Sequence, residues 1–176
     1  MLLHDMVGYW LTYAQRCHAL TLEIVLREHC EALGKAYIIN PPQWSVLSLL
    51  SASQEPTIGS LAQHMGVDAP TVTHTVRRLE EYGLVERVHD RGDRRVVKVL
   101  LTAEGQDLFG SLGPVGMAFN ERLFGTHDQR QVFIEQLQHL IADLSKIVPG
   151  GGDRFGLLPA FWQEYEQEVN TSKPEE

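Results

Sequence analysis

The sequence lacks the features of a membrane-spanning or secreted chain. None of its 176 residues lies in an apolar run of about 18 or more, so no transmembrane helix is expected. The N-terminus has neither a basic start before an apolar stretch nor a small-residue cleavage pattern, so no secretory signal is expected. We therefore expect a cytoplasmic protein with one domain, or one domain and an appendage.

Motifs for catalysis and metal binding are also missing. The eight histidines form no cluster with cysteines or carboxylates at the spacing that metal ligands require. There is no glycine-rich phosphate loop and no nucleophile motif. The sequence therefore predicts no catalytic residues, no metal and no cofactor, and the protein is not expected to be an enzyme.

Cysteine is scarce, with only Cys17 and Cys30 in the chain. They lie thirteen residues apart in one predicted helix, which places them about 220° apart around its axis. They cannot form a disulfide within that helix. Reduced thiols are the simpler interpretation, and a redox sensor that pairs cysteines across two chains stays open as an alternative.

Positive charge is low overall but concentrated in one segment. The formal net charge is −8, which argues against indiscriminate binding to nucleic acid. Residues 77–98 nevertheless hold seven of the fifteen basic residues and have a net charge of +2, which leaves −10 on the rest of the chain. This distribution is typical of a protein that presents one surface to phosphates and repels them elsewhere.

The same region contains the clearest structural pattern, a helix over 57–65, a short turn, and a second helix over 69–82. Thr57 and Asp68 can cap these helices. In the second helix Val72, Val76 and Leu79 fall on one side and must face the core. The opposite face suits DNA base edges and phosphates, and it presents Pro70, Thr71, Thr73, His74, Arg77 and Arg78.

A predicted β-hairpin, residues 84–101, follows this helix-turn-helix. Its two strands are rich in β-branched residues, and the loop between them is HDRGDRR. Asp93 lies two residues before Arg95 and can orient its guanidinium. An arginine held at such a tip can enter a narrow minor groove, where the potential is most negative. Arg94 is the natural partner for a phosphate.

Together these segments resemble the MarR family of bacterial transcription regulators over roughly residues 5–147. The matching residues are Gln43, Trp44, Leu47, Leu61, Ala62, Leu79, Glu80, Gly83, Leu84, Val85, Asp93, Arg94, Arg95, Leu101, Thr102 and Gly105. The resemblance implies a homodimer that binds a pseudo-palindromic operator in double-stranded DNA and usually represses. It also implies base recognition by the second helix, minor-groove contact by Arg95, and control by a small, often phenolic or anionic, effector.

The flanking segments are predicted to be helices that pair two chains. Residues 5–33 carry apolar residues at steps of three and four from Met6 to Ile24, and Gly34 is a plausible stop. Helices are also predicted over 41–53, from Thr102 to about Gly125 with a kink at Gly113-Pro114, and up to Ile147. One chain is unlikely to bury all these stripes, so an intertwined dimer is expected.

The aromatic cluster near the N-terminus suggests a ligand pocket between the first, second and fifth helices. Its candidate lining residues are Tyr9, Trp10, Tyr13, Arg16, His18 and Trp44. Arg16 is the cation nearest the cluster and would pair with an anionic ligand. Peroxide-sensing members of the resembled family carry a cysteine at a position that aligns near Tyr9, which favours ligand sensing over thiol sensing here.

The predicted fold is therefore mainly α-helical with a small β-wing, a winged helix-turn-helix in an intertwined helical homodimer. Residues 1–40 and 103–148 would form the dimerisation helices, 41–102 the DNA-binding domain, and 149–176 a C-terminal extension with a short helix and a polar tail. A helical interaction module that does not bind DNA is the other alternative. The arginines at 77, 78, 94 and 95 argue against it.

Overall fold

The computed structural model describes residues 6–52, 56–90, 92 and 96–147. Six helices and one antiparallel β-hairpin make up this part of the chain. The elements are α1 (Val7–Ala32), α2 (Pro41–Ala52), α3 (Ile58–Met65), α4 (Ala69–Glu81), β1 (Val85–His89), β2 (Val97–Leu101), α5 (Ala103–Phe124) and α6 (His127–Ile147). The predicted C-terminal helix and the wing tip with Asp93, Arg94 and Arg95 lie outside the described residues.

Side-chain caps hold the starts of α2, α3, α4 and α5, whereas Met6 at the start of α1 provides none. Asn40 and Gln43 cap α2 reciprocally, since each backbone N–H donates to the other side chain at 2.9 Å. Thr57 and Ser60 form the same box at the start of α3. Gly34 and Gly83 follow the ends of α1 and α4 with φ of 66° and 73°, a conformation that favours glycine. Element boundaries therefore agree with the predicted ones within two residues.

The core is built around α4. Val72, Val76 and Leu79 are fully buried, which confirms the predicted inner face of this helix. They pack in one cluster with residues of every other element except α6, including Leu26, Leu47, Leu61, Val85, Val99 and Leu112. The inner face of α4 is thereby fixed, and its outer face is left to solvent.

The predicted apolar stripe of α1 is largely exposed in the single chain, as expected for a stripe that one chain is unlikely to bury. Leu20 and Ile24 are 63% and 53% exposed, and the buried residues of α1 are Leu22, Leu26 and Cys30. These three repeat every four residues on the second half of the helix, where it meets the rest of the chain. The helix thus has two apolar faces, and only one of them is used within the chain.

The helices after the hairpin also leave apolar side chains in solvent. α5 runs as one helix through Pro114, so the glycines and proline there do not divide it. None of the α6 residues whose burial is described is fully buried, and Phe133 stacks on Phe124 with ring centroids 5.6 Å apart. Within the described ranges no helix is both long and apolar enough to cross a membrane.

Candidate nucleic-acid interface

The start of α4 is held by its cap. The Thr71 N–H donates to Asp68 Oδ1 at 2.9 Å. Hydrogen bonds from the Thr71 side chain and backbone hold the pKa of the Asp68 carboxyl below its ordinary value. Pro70 lies in the first turn, where a missing N–H costs nothing. The first turn is therefore rigid and projects short side chains outward.

The predicted DNA-facing residues share one exposed surface, which we call the reading face. Its members are Pro70, Thr71, Thr73, His74, Arg77 and Arg78, and all six are exposed. The Thr73 hydroxyl donates to the Ala69 carbonyl oxygen at 2.8 Å, so its remaining lone pairs point outward as acceptors. Thr75 is buried instead and its hydroxyl donates to the Thr71 carbonyl oxygen. The structure thus assembles the residues that periodicity assigned to this face.

The two arginines of the reading face are held by a carboxylate that the sequence analysis did not identify. Arg78 Nη1 lies 2.9 Å from Glu81 Oε2, and Arg77 Nε lies 3.8 Å from Glu81 Oε1. Arg77 Nη2 also lies 3.2 Å from His74 Nδ1. Exposed ion pairs of this kind are weak, so a phosphate can replace Glu81 as partner at little cost.

Other basic residues of the cluster are used within the fold. Arg87 on β1 pairs with Glu80 of α4, and this contact raises the pKa of the Arg87 guanidinium. Lys98 on β2 pairs with Asp90 at 2.7 Å. Asp90 Oδ1 also accepts a hydrogen bond from the Gly92 N–H at 2.7 Å, so this carboxylate shapes the hairpin loop. The local positive charge is therefore divided between structural ion pairs and the reading face.

The hairpin that forms the wing is joined to α5 by a compact contact. The Thr102 hydroxyl donates to the Gly83 carbonyl oxygen at 2.6 Å and accepts from the Gly105 N–H at 3.1 Å. A Cβ on Gly105 would lie 2.0 Å from the Leu84 carbonyl oxygen, so only glycine fits there. This contact explains physically why threonine and glycine follow the hairpin at this spacing.

A groove of about 980 Å³ lies between α1, α2 and the helix-turn-helix. Its apolar walls include Leu20, Leu22, Trp44, Leu49 and Met65. Its polar lining consists of Gln15, His18, Glu23, Asn40, Ser45, Ser48, His64 and Thr71. Because Thr71 also belongs to the reading face, a molecule in the groove would touch the first turn of α4 directly.

Only two of the six predicted pocket residues, His18 and Trp44, border this groove. Trp44 stacks on Phe109 with ring centroids 5.3 Å apart, and a Cβ on Gly116 would lie 2.8 Å from its ring. The His18 ring lies 5.5 Å from that of Phe119. Both residues therefore join the groove to α5.

The other four predicted pocket residues lie elsewhere. Tyr9, Trp10 and Tyr13 pack on one another, with centroids 5.4 Å apart for Tyr9 and Trp10 and 6.0 Å for Tyr9 and Tyr13. Arg16 is not among the residues that line the groove. The groove meets α1 between Gln15 and Glu23, so Tyr9, Trp10 and Tyr13 lie on turns of the helix that precede it.

The two thiols have different environments. Cys17 is exposed, whereas Cys30 is buried in the core. Burial raises the pKa of the Cys30 thiol, which disfavours the reactive thiolate. Within the described residues, no group of three or more histidine, cysteine or acidic side chains could hold a metal ion.

Comparison with known proteins identifies the family of this fold. The model of the MarR family matches residues 39–97, from the end of the α1–α2 loop into the wing. The HTH-type regulator YwoH of Bacillus subtilis is 36% identical over 98 residues, which cover 56% of this chain and 69% of YwoH. The chain belongs to the MarR family. The relatives YwoH and YsmB are named as HTH-type transcriptional regulators, in agreement with the predicted class of function.

Other relatives of this MarR-family protein agree. The regulator YsmB of Bacillus subtilis is 35% identical over 82 residues, and the match covers 47% of this chain but only 56% of YsmB. The crystal structure of the PcaV regulator from Streptomyces coelicolor with its natural ligand superposes with a TM-score of 0.67 at 25% identity. That match covers 81% of this chain and 96% of PcaV. The predicted winged helix-turn-helix fold is thereby confirmed.

Proposed function

We propose that this MarR-family protein represses transcription by binding a pseudo-palindromic DNA operator as a homodimer, and that a small aromatic effector controls this binding. The exposed reading face of α4 is the observation that carries the proposal. Its threonines and His74 suit base edges, and its arginines suit bases or phosphates. In the wing, Arg95 would enter the minor groove with Asp93 orienting it, and Arg94 would contact a phosphate.

Homodimerisation is supported by apolar side chains that the single chain does not cover. They lie on α1, α5 and α6 and include Trp10, Tyr13, Leu20, Ile24, Met117, Leu123, Val132, Phe133, Ile141 and Leu144. Exposed apolar surface on this scale is typical of a protein–protein interface. Residues 1–40 and 103–148 would supply it, with residues 149–176 as an extension, and residues 41–102 would bind DNA. Two-fold symmetry would then match a two-fold operator.

Control by an effector is supported by the position of the groove. It is bordered by Trp44 and His18 on the side of α5, and by Val67 and Thr71 at the start of α4. A ligand with different affinity for two positions of α4 would shift the population between them. A bound dimer represses by excluding other proteins from its site, and the effector would release that block.

Thiol sensing is the alternative within the same fold, and the two cysteines separate the alternatives. Cys30 is buried with a raised pKa, so only Cys17 is accessible to an oxidant in the single chain. A Cys17→Ser, Cys30→Ser double variant should keep both DNA binding and the effector response. If it binds DNA normally but no longer responds to the effector, ligand control is the wrong interpretation.

Selection of bound sites from a random DNA library, followed by footprinting, tests the proposal. We expect one enriched sequence whose two halves are related by a two-fold axis, with half-sites centred about one helical turn apart. Sedimentation of the complex should give two chains per site. No enrichment, or a footprint without two-fold symmetry, would refute the homodimer-on-operator proposal.

A further inference from the structure

The groove between α1, α2 and α4 has an unusual charge composition for a site that would take an aromatic acid. Among the described residues, no lysine or arginine lines it. The acidic side chain in its lining is that of Glu23. A carboxylate ligand would have to give up its hydration here without a permanent cation to pair with, which is costly.

The two serine hydroxyl groups of the α2 wall already donate their protons to carbonyl oxygens of the same helix. Ser45 Oγ donates to the Pro41 carbonyl oxygen at 3.1 Å, and Ser48 Oγ donates to the Trp44 carbonyl oxygen at 2.9 Å. A hydroxyl has one proton and two lone pairs, so each serine presents only acceptors to the groove. These two serines therefore offer acceptors to a ligand, beside the side-chain amides of Asn40 and Gln15, which can donate as well as accept.

The α1 wall adds a carboxylate with the same preference. Glu23 Oε1 lies 2.8 Å from Arg27 Nη2, and Arg27 is not itself a lining residue. Both side chains are partly exposed, so solvent weakens this pair and Glu23 still contributes negative potential. A carboxylate oxygen accepts hydrogen bonds and cannot donate when ionised. Acceptors on two walls thus face the same space.

We infer that the groove selects an aromatic ligand that bears hydrogen-bond donors and no negative charge, and that it discriminates against aromatic carboxylates. This inference rests on the proposed function, because it assigns the chemical class of the effector. Trp44 and the aliphatic walls take the ring, and Ser45, Ser48 and Glu23 accept from its donors. The sequence-based expectation that Arg16 binds an anionic ligand is replaced, since Arg16 does not line the groove.

Three probes with the same ring test the ligand class: 4-hydroxybenzamide, 4-hydroxybenzylamine and 4-hydroxybenzoate. The three probes are compared at pH 8, where the acid is ionised and therefore carries the negative charge that the groove is expected to reject. We expect the amide or the amine to raise the melting temperature of the full chain. In calorimetry, the amide or the amine should bind roughly tenfold or more tightly than 4-hydroxybenzoate, because the carboxylate of the acid would find no cation in the groove.

Matched variants locate the discrimination. Ser48→Ala removes a hydrogen-bond acceptor and should weaken binding of the amide several-fold. Glu23→Gln removes a negative charge, so it should weaken binding of the amine and reduce the difference in affinity between the amine and the acid. Arg16→Ala is the control and should leave all three affinities unchanged. If the acid binds as tightly as the others, if none of the three binds, or if Arg16→Ala selectively abolishes acid binding, the inference is wrong.

DNA affinity, measured on the same preparations, separates this inference from the proposed function. DNA binding without the expected ligand discrimination refutes the ligand class alone. If the groove prefers the amide or the amine to the acid but neither probe changes DNA affinity, the ligand class is supported and the role of the ligand as an effector is refuted. Absence of any sequence-specific DNA binding refutes the proposed function whichever probe the groove prefers.

Discussion

The contact between the wing and α5 gives the sharpest stability prediction, because two glycines of one helix differ only in their surroundings. A Cβ on Gly105 would lie 2.0 Å from the Leu84 carbonyl oxygen, far inside ordinary contact distance. A Cβ on Gly110 would meet nothing within 4 Å. Alanine improves helix propensity at an interior position such as Gly110 by about 1 kcal/mol. Gly105→Ala must in addition move the backbone of α5 away from the Leu84 carbonyl group, whereas Gly110→Ala need not.

The expected free energies follow from this geometry. Overpacking costs about 1–3 kcal/mol, and displacing α5 also strains the hydrogen bond from Thr102 to Gly83, which is worth about 1 kcal/mol. We therefore expect Gly105→Ala to lower the free energy of unfolding by about 2 kcal/mol, or roughly 4–8 °C in melting temperature for a chain of this size. Gly110→Ala should raise the free energy of unfolding by up to about 1 kcal/mol.

Urea unfolding followed by far-ultraviolet circular dichroism measures both variants. Protein concentration must be identical in every sample, because the apparent stability of the proposed dimer would depend on it. If Gly105→Ala is as stable as Gly110→Ala, the close approach between α5 and the Leu84 carbonyl does not constrain the fold, and the explanation of the threonine–glycine spacing is refuted.

Three further predictions concern the wing, the thiols and pH. Arg95→Ala should weaken operator binding by about 1–3 kcal/mol in a titration at moderate salt, and unchanged affinity would remove the wing from the mechanism. Cys17→Ser alone should leave the melting-temperature shift given by 4-hydroxybenzamide unchanged, and loss of that shift would indicate that the thiol lies in the site. Burial raises the pKa of Tyr37, so its stabilising effect is complete below pH 10, its ordinary pKa, and is lost as pH rises through the folded-state value. In alkaline unfolding experiments Tyr37→Phe should therefore lose less stability than the unchanged chain, and parallel losses would contradict this.

Local patterns were sufficient to predict the helix-turn-helix. Val72, Val76 and Leu79 follow one another at intervals of four and three residues, which determines the buried side of α4. The prediction succeeds because every residue that packs against this side belongs to the same chain. Cap residues such as Asp68 act on groups three residues away, so their role is visible in the sequence. Helix starts and the exposed face of α4 therefore follow from the sequence alone.

The groove could not be predicted in the same way, because it depends on how α1 packs against α2 and the helix-turn-helix. That helix has one apolar face that includes Leu22 and Leu26 and another that includes Leu20 and Ile24, and periodicity does not say which face meets its own chain. The sequence prediction placed the pocket at the aromatic cluster around Tyr9, whereas the groove begins at Gln15. Partners in tertiary contacts, such as Glu80 for Arg87, are likewise set by the packing of α4 against β1.

The most direct test of the central claim is the base preference of His74→Ala. Its affinity for a library of single-base variants of the selected operator is compared with that of the unchanged chain at one salt concentration, with Lys146→Ala as the control. If the exposed face of α4 recognises DNA in a two-fold dimer, the preference changes at positions related by the two-fold axis and nowhere else. An unchanged profile, or a change in one half-site only, would contradict the account.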